Sequence, residues 1–180
     1  MSSLTYMCLL IVAVTCGTTV RADQRQYSVC DVLGDLEKLH GQIITVKGRL
    51  TFGLGVWLRG ESCAKHFKVG ECEFDDLIAV EWPDSLIVEY ELKGKTLFPL
   101  DREGARLVET ASLADRSRKE FSTTLEGLIV TRLPLTRLVY RKSPSTPLGY
   151  GHLGIAPAMI VVKKVIDLKV LEKPADQKDP

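Results

Sequence analysis

The last apolar run of the chain constrains its fold most. Residues 158–171 read Ala-Met-Ile-Val-Val-Lys-Lys-Val-Ile-Asp-Leu-Lys-Val-Leu. Valine and isoleucine are β-branched and are enriched in strands. The run therefore predicts a long final strand. The chain has a mainly β fold if earlier segments supply the strands that pair with it.

Several earlier segments have strand patterns. In residues 42–50, Ile44, Val46 and Leu50 fall on one face and polar residues on the other, which is typical of a half-buried strand. Residues 56–59 follow a short glycine-containing turn, so the two segments predict a hairpin. Further strands are predicted over residues 77–82, 86–92 and 122–133.

Two helices and two loops complete the predicted domain. Ser28 and Asp31 form a capping-box pattern, and the apolar spacing that follows predicts a helix over residues 29–39. A charged segment, 101–120, predicts a helical insertion, whereas the polar segment 61–76 predicts a loop insertion. Residues 132–157 are rich in proline and glycine and predict a long loop. At 45% hydrophobic and 26% charged residues the composition is globular, so we expect one domain over residues 23–172 and a disordered tail over 173–180.

The first 22 residues have the pattern of a signal peptide. Residues 4–14 are mostly apolar but too few to span a bilayer as a helix, and Ala22 offers a cleavage site. An alternative interpretation is a lipid anchor on Cys16. Removing residues 1–22 leaves 23 basic and 23 acidic residues. This balance argues against an electrostatic binder of nucleic acid or membranes, and an export signal predicts a periplasmic or secreted protein.

Two segments resemble the strands of a known fold. The run from Gly41 to Leu50, Gly-Gln-Ile-Ile-Thr-Val-Lys-Gly-Arg-Leu, looks like the first strand of OB-fold proteins, and residues 124–128 resemble a later barrel strand. The layout is similar to uncharacterised exported bacterial proteins with such a barrel. The resemblance implies a mainly β fold with one or two helices: a small, partly open β-barrel with a leading helix. It implies no catalytic residue.

Three cysteines remain after the signal peptide, and they allow more than one arrangement. Cys63 can pair with Cys72 inside the loop insertion or with Cys30 in the leading helix. The resemblance favours Cys30–Cys63. A zinc site on Cys63, His66 and Cys72 is the alternative, although an exported protein favours disulfides over thiolate ligands.

A glycine-rich motif and a basic stretch supply the candidate binding residues. Residues 149–154 match G-x-G-x-x-G, but prolines precede the motif and a β-branched run follows it, so the strand and helix of a dinucleotide site are missing. The loop predicts ligand contacts from Tyr150 and His152, and we expect their replacement by alanine to leave the fold intact. Tyr140 and Arg141 add an aromatic and a basic side chain to the candidate set.

The sequence favours a non-enzymatic exported binding or interaction module with no cofactor. Its expected partner is another envelope protein or an oligosaccharide, and nucleic acid is disfavoured by the net charge. One alternative is a small hydrolase or zinc-dependent enzyme built on His66, Cys72, His152 and the acidic residues at 71, 73, 75 and 76. Another is a structural envelope lipoprotein.

Overall fold

The computed structural model describes residues 25–61, 63–93, 97–115, 120–140 and 143–171. The predicted signal peptide, the lipid-anchor candidate Cys16 and the predicted tail lie outside these ranges. The strands are β1 Gln26–Ser28, β2 Ile43–Phe52, β3 Val56–Arg59, β4 Lys68–Val69, β5 Cys72–Glu73, β6 Leu77–Glu81, β7 Glu120–Thr131, β8 Val139–Tyr140, β9 Ser143–Pro147 and β10 Ala158–Leu171. The helices are α1 Val29–Gly34, α2 Leu36–Leu39, α3 Leu86–Glu91 and α4 Arg102–Asp115.

Five strands form a closed barrel. They pair in the order β2, β3, β6, β10 and β7, and β7 pairs again with β2. β10 lies parallel to β6, and every other pair in the ring is antiparallel. The short β1 adds to β2 in parallel, outside the ring. The mainly β fold and the small barrel are confirmed, and its ring is closed where the sequence led us to expect a partly open one.

The barrel wall separates two apolar cores. In β10, Ala158, Ile160 and Val162 belong to the first core, and Met159 and Val161 belong to the second. This alternation follows from the two-residue period of a strand. All five residues are buried, so both faces of this part of β10 are covered. The unbroken apolar run in the sequence is the consequence of this double burial.

Segments of the chain itself cover the outer face of the wall. The second core joins Trp57 of β3 and Leu77 of β6 to Phe74 in the loop insertion, Val88 of α3 and Tyr150 in the 132–157 segment. The first core contains the strand residues that point to the opposite face of the wall, such as Leu58 and Ile78, together with apolar side chains of α1, α2 and α4. The long loop predicted over residues 132–157 is therefore a packed layer, and it contains the β8–β9 hairpin and two short 3-10 turns.

The leading helix forms as predicted and is tied to the barrel by a disulfide. The Asp31 N–H donates to Ser28 Oγ at 3.1 Å, and the Ser28 N–H donates to the Asp31 carboxylate at 2.9 Å. The helical segment divides at Asp35 into α1 and α2. Cys30 of α1 is bonded to Cys63, so the preferred pairing is confirmed.

One predicted strand is a helix in the structure, and one predicted loop contains a short hairpin. Residues 86–92 were expected to form a strand, but α3 occupies this segment because Ser85 caps it, its Oγ accepting from the Val88 N–H at 3.3 Å. The loop insertion at 61–76 contains a small hairpin, β4–β5, instead of being irregular throughout. In the part of the chain that the structure describes, no helix has the length and apolar character needed to cross a lipid bilayer.

Candidate functional site

A groove of about 340 Å³ lies between α3 and the turn formed by residues 149–151. A volume of about 300 Å³ is the lower end of the range for ligand pockets. The α3 side is mostly apolar, and the opposite side combines bare glycine backbone with two polar side chains. The lining residues are Leu86, Ile87, Tyr90, Glu91, Arg132, Gly149, Tyr150 and Gly151.

The α3 wall exposes large apolar side chains. Val88 points into the second core and is buried, whereas Leu86 and Tyr90 are 81% and 82% exposed. These two residues are four apart and so lie on the same helix face, one turn from each other. Ile87, at the groove, is 41% exposed. Helix α3 therefore packs on the barrel through Val88, and the side chains of Leu86, Ile87 and Tyr90 stay exposed.

The opposite wall is a tight turn pressed against the barrel. The Gly149 N–H donates to the Gly154 carbonyl at 3.0 Å, and the Tyr150 N–H donates to the Ala156 carbonyl at 2.7 Å. Gly151 has φ +70°, and a Cβ there would lie 2.1 Å from Cη2 of Trp57. Only glycine fits this close approach. Gly149 and Gly151, the first two glycines of the G-x-G-x-x-G motif, thus allow the loop to pack closely. The motif continues through a 3-10 turn into β10, so it has no helix that could bind a nucleotide phosphate.

Tyr150 forms the floor of the groove, and its hydroxyl is unpaired. The residue is 2% exposed, and its Oη has no hydrogen-bond partner among the described residues. Burial raises the pKa of Tyr150 well above its usual value; the nearby Glu91 carboxylate adds to this and Arg132 opposes it. The phenol is therefore neutral at pH 7. An unpaired buried hydroxyl costs about 1–3 kcal/mol, so its presence in a packed core calls for a reason.

Arg132 joins the barrel to both walls of the groove. It follows the end of β7, and its Nη2 donates to Glu91 Oε1 at 2.5 Å. Its Nη1 donates to the Leu148 carbonyl, and its guanidinium carbon lies 5.0 Å from the centre of the Tyr150 ring. Burial acts to lower the pKa of Arg132, but the hydrogen bond and charge of Glu91 outweigh it and leave the pKa raised. The guanidinium lies over the ring face. Its hydrogen-bonding and charge also act on the Tyr150 hydroxyl, although no hydrogen bond between the two groups has normal geometry.

The structure describes the side chains of two of the four predicted ligand-binding residues, Tyr150 and His152. The structure places Tyr150 in the groove floor and His152 on the exposed side of the same turn. The backbone of Tyr140 belongs to β8, but its side chain and the whole of Arg141 lie outside the described part. The burial of Tyr150 also changes what its replacement should do, because removing a buried aromatic ring costs about 3–5 kcal/mol. We therefore expect Tyr150→Ala, unlike His152→Ala, to destabilise the fold.

The alternative zinc set is not assembled. Cys63 is bonded to Cys30 and has no thiolate to offer. Cys72 is buried, and burial raises the pKa of its thiol, which disfavours the thiolate. His66 Nδ1 lies 3.0 Å from Asp76 Oδ2 at the surface. Within the described ranges, no three His, Cys, Asp or Glu side chains lie together in a way that could hold a metal ion.

Two other concave surfaces are weaker candidates. One, of about 600 Å³, lies beside β1 and the disulfide, and its Asp31 carboxylate is already used by the capping box. The other, of about 330 Å³, lies around His66 and Asp76. Asp76 Oδ1 is buried and unpaired there, but its second oxygen is bound to His66 and its side chain is 17% exposed. Among these three surfaces of the described residues, the groove at Tyr150 is the one whose wall carries exposed large apolar side chains.

Sequence reasoning missed the α3 side of the groove. The sequence predicts a strand over residues 86–92, and a strand places neighbouring side chains on opposite faces. The helix instead brings Leu86, Ile87, Tyr90 and Glu91 to the groove. The signal that could have found the helix is Ser85, a favoured N-cap residue directly before the apolar segment. Comparison with protein-family models, with curated proteins and with solved structures finds no match to this chain.

Proposed function

We propose that the chain is an exported, non-enzymatic binding or interaction module, and that the groove between α3 and the 149–151 turn is its contact site. The observation that carries the proposal is a groove of about 340 Å³ whose α3 wall leaves Leu86 and Tyr90 81% and 82% exposed. A bound partner that covers these apolar side chains would remove them from water, which is favourable.

We further propose that the barrel is of the OB-fold type, as the resemblance implied. Five strands with one parallel pair in the ring support this assignment. OB-fold proteins bind ligands on the face of their second and third strands, which correspond to β3 and β6 here. The outward residues of these strands, Trp57, Leu77 and Ala79, are buried under the chain's own segments. That surface is therefore covered by the chain itself. The proposed binding site lies at the edge of the covering layer, between α3 and the 149–151 turn.

The Cys30–Cys63 disulfide supports export, because disulfides persist in oxidising compartments. The periplasm or the extracellular medium is the proposed location, with another envelope protein or an oligosaccharide as the class of partner. The enzyme alternative has less support, since His66, Cys72 and His152 are not brought together with a metal-binding group in the described residues. The lipoprotein alternative concerns Cys16 and is tested by the mass of the exported protein.

A titration with p-cresol tests the groove directly. This probe has an aromatic ring for the apolar wall and a hydroxyl for the polar side of the groove, where Glu91 and Arg132 lie. We expect saturable shifts in the backbone amide NMR signals of Tyr90, Gly149 and Gly151, with a dissociation constant on the order of 1 mM, about −4 kcal/mol. The matched control is Leu113→Ala, which removes an exposed apolar side chain on α4 and should leave the titration unchanged. Shifts that are absent from these three amides, or that never saturate, would refute the proposal.

A further inference from the structure

The second half of β10 has an open edge. The strand pairs with β7 from Ala158 to Leu171, but it pairs with β6 only over residues 158–161. β6 ends at Glu81, opposite Val161. Within the described part of the chain, no strand therefore lies on the β6 side of residues 162–171. The backbone N–H and C=O groups of such an edge can pair with a strand of another molecule.

The chain protects only the first part of this edge. The pairing of β10 with β7 is irregular in two places, after Val162 and after Val165, and bulges of this kind distort an edge. The Asp101 carboxylate, directly before α4, also accepts the Val165 N–H at 2.9 Å. Over residues 167–171 the register with β7 is regular. This last segment is the part of the edge that is available for pairing.

The open segment exposes two large apolar side chains and two charges of opposite sign. Ile166 is 50% exposed and Val170 is 52% exposed. Asp167 and Lys169 lie between them and form an ion pair of 2.7 Å at the surface. A solvent-exposed ion pair contributes little to the stability of a monomer. Both the apolar side chains and the two charges can therefore be shared with a second chain.

The segment is complementary to itself in antiparallel register. Pairing centred on Leu168 puts Ile166 of one copy opposite Val170 of the other. The same register puts Asp167 of one copy opposite Lys169 of the other. Apolar and opposite-charge pairs across two strands both stabilise a sheet, whereas moving the centre to Lys169 would oppose two lysines. A two-fold axis at Leu168 repeats each pair, as a symmetric dimer interface requires.

We infer that two copies of the chain associate through the open edge of β10, with residues 166–170 paired antiparallel about a two-fold axis at Leu168. The partner at this edge is thus a second copy of the same chain. The inference is independent of the proposed function, because none of these residues lines the groove at Tyr150. The interface is small, so we expect a weak dimer with a dissociation constant on the order of 100 µM.

Sedimentation equilibrium of the protein purified from cells that express it measures the association. The average mass should rise toward twice the mass of one chain as the concentration passes about 100 µM. Lys169→Glu places an acid opposite Asp167 in both halves of the interface and should weaken the dimer about 10-fold or more. The double variant Asp167→Lys, Lys169→Glu exchanges the two charges and should restore it. The matched control is Lys38→Glu, which removes an exposed lysine paired with Asp35 at 2.7 Å and should leave the dissociation constant unchanged.

Cysteine substitutions test the register. Ile166→Cys and Val170→Cys change exposed positions that face each other in the inferred dimer. Facing Cβ atoms of an antiparallel pair are about 4.5–5.5 Å apart, close enough for mild oxidation to join the two thiols. An equimolar mixture of the two variants should therefore give a covalent dimer, and each variant alone should not.

Three results would overturn the inference. The first is an average mass that stays at the monomer value up to about 1 mM, ten times the expected dissociation constant. The second is a Lys169→Glu dimer as tight as that of Lys38→Glu, or a charge-exchanged variant no tighter than Lys169→Glu. The third is a covalent dimer that forms equally in mixed and unmixed cysteine variants. The p-cresol titration reports on the groove alone, so failure of the dimer and failure of the proposed function are distinguished.

Discussion

Replacing Tyr150 with phenylalanine should stabilise the protein. The substitution removes one oxygen atom and keeps the aromatic ring, which is packed in the second core under the Arg132 guanidinium. The face of a phenylalanine ring also attracts a cation, so the cation–π contact with Arg132 is retained. Because no hydrogen bond to the Tyr150 hydroxyl has normal geometry, its removal abolishes a desolvation cost, and the weaker interaction of the hydroxyl with Arg132 offsets only part of the gain.

The size of the effect follows from the cost of an unpaired buried hydroxyl. That cost is about 1–3 kcal/mol. The oxygen leaves a small gap that offsets part of the gain, since cavities also destabilise. We therefore expect an increase of about 1–2 kcal/mol in the free energy of unfolding. For a chain of this length each kcal/mol raises the melting temperature by about 2–4 °C.

Urea denaturation at pH 7, with the disulfide intact, measures this change. Tyr90→Phe is the matched control, because Tyr90 is exposed and a surface change of this kind stays within about 0.5 kcal/mol. A loss of 1 kcal/mol or more in Tyr150→Phe would refute the reasoning, since it would show that the hydroxyl makes a hydrogen bond in the folded protein. A gain would identify Tyr150 as a residue kept at a cost to stability, as is usual at functional sites.

Three further substitutions test contacts that stabilise the fold. Replacing Cys30 and Cys63 together by serine should lower the free energy of unfolding by about 4 kcal/mol, because the bond closes a loop with a sequence separation of 33; urea curves that coincide with the wild type would contradict this. Gly151→Ala should cost about 3 kcal/mol through its contact with the barrel wall and its positive φ, whereas Gly53→Ala, which meets nothing within 4 Å, should cost far less. Backbone N–H groups of the chain hold the pKa of Asp101 below its usual value, so its contribution to stability is full above pH 4 and is lost as the pH falls through the lowered pKa. Asp101→Asn should flatten the fall in stability between pH 4 and lower pH, and an unchanged acid profile would contradict it.

The barrel could be predicted because its strands follow a simple pattern. The two-residue alternation in β2 and the long apolar run of β10 indicate strands whatever lies around them. The second core could not be predicted, since it depends on segments far apart in sequence folding over the outer wall. The apolar run at 158–162 indicates such a core, because consecutive residues of a strand point to opposite faces and all five are buried, so other segments must pack on both faces.

The site was predictable only in part. Tyr150 was singled out because it lies in a glycine-rich loop, but its burial depends on the turn pressing against Trp57, a contact no local pattern reveals. Arg132 and Glu91 are 41 residues apart and meet only because α3 packs beside the end of β7. The apolar segment at 86–91 suits a strand or a helix by composition, and a single capping residue decides between them.

Photo-crosslinking in a cell that expresses the protein tests the central claim most directly. The reactive residue p-benzoylphenylalanine would replace Tyr90 at the groove or Leu113 on α4, both exposed apolar positions. We predict one discrete adduct from position 90, identified by mass spectrometry, and no such adduct from position 113. No adduct at position 90, or the same adducts from both positions, would contradict the assignment of the groove as the contact site.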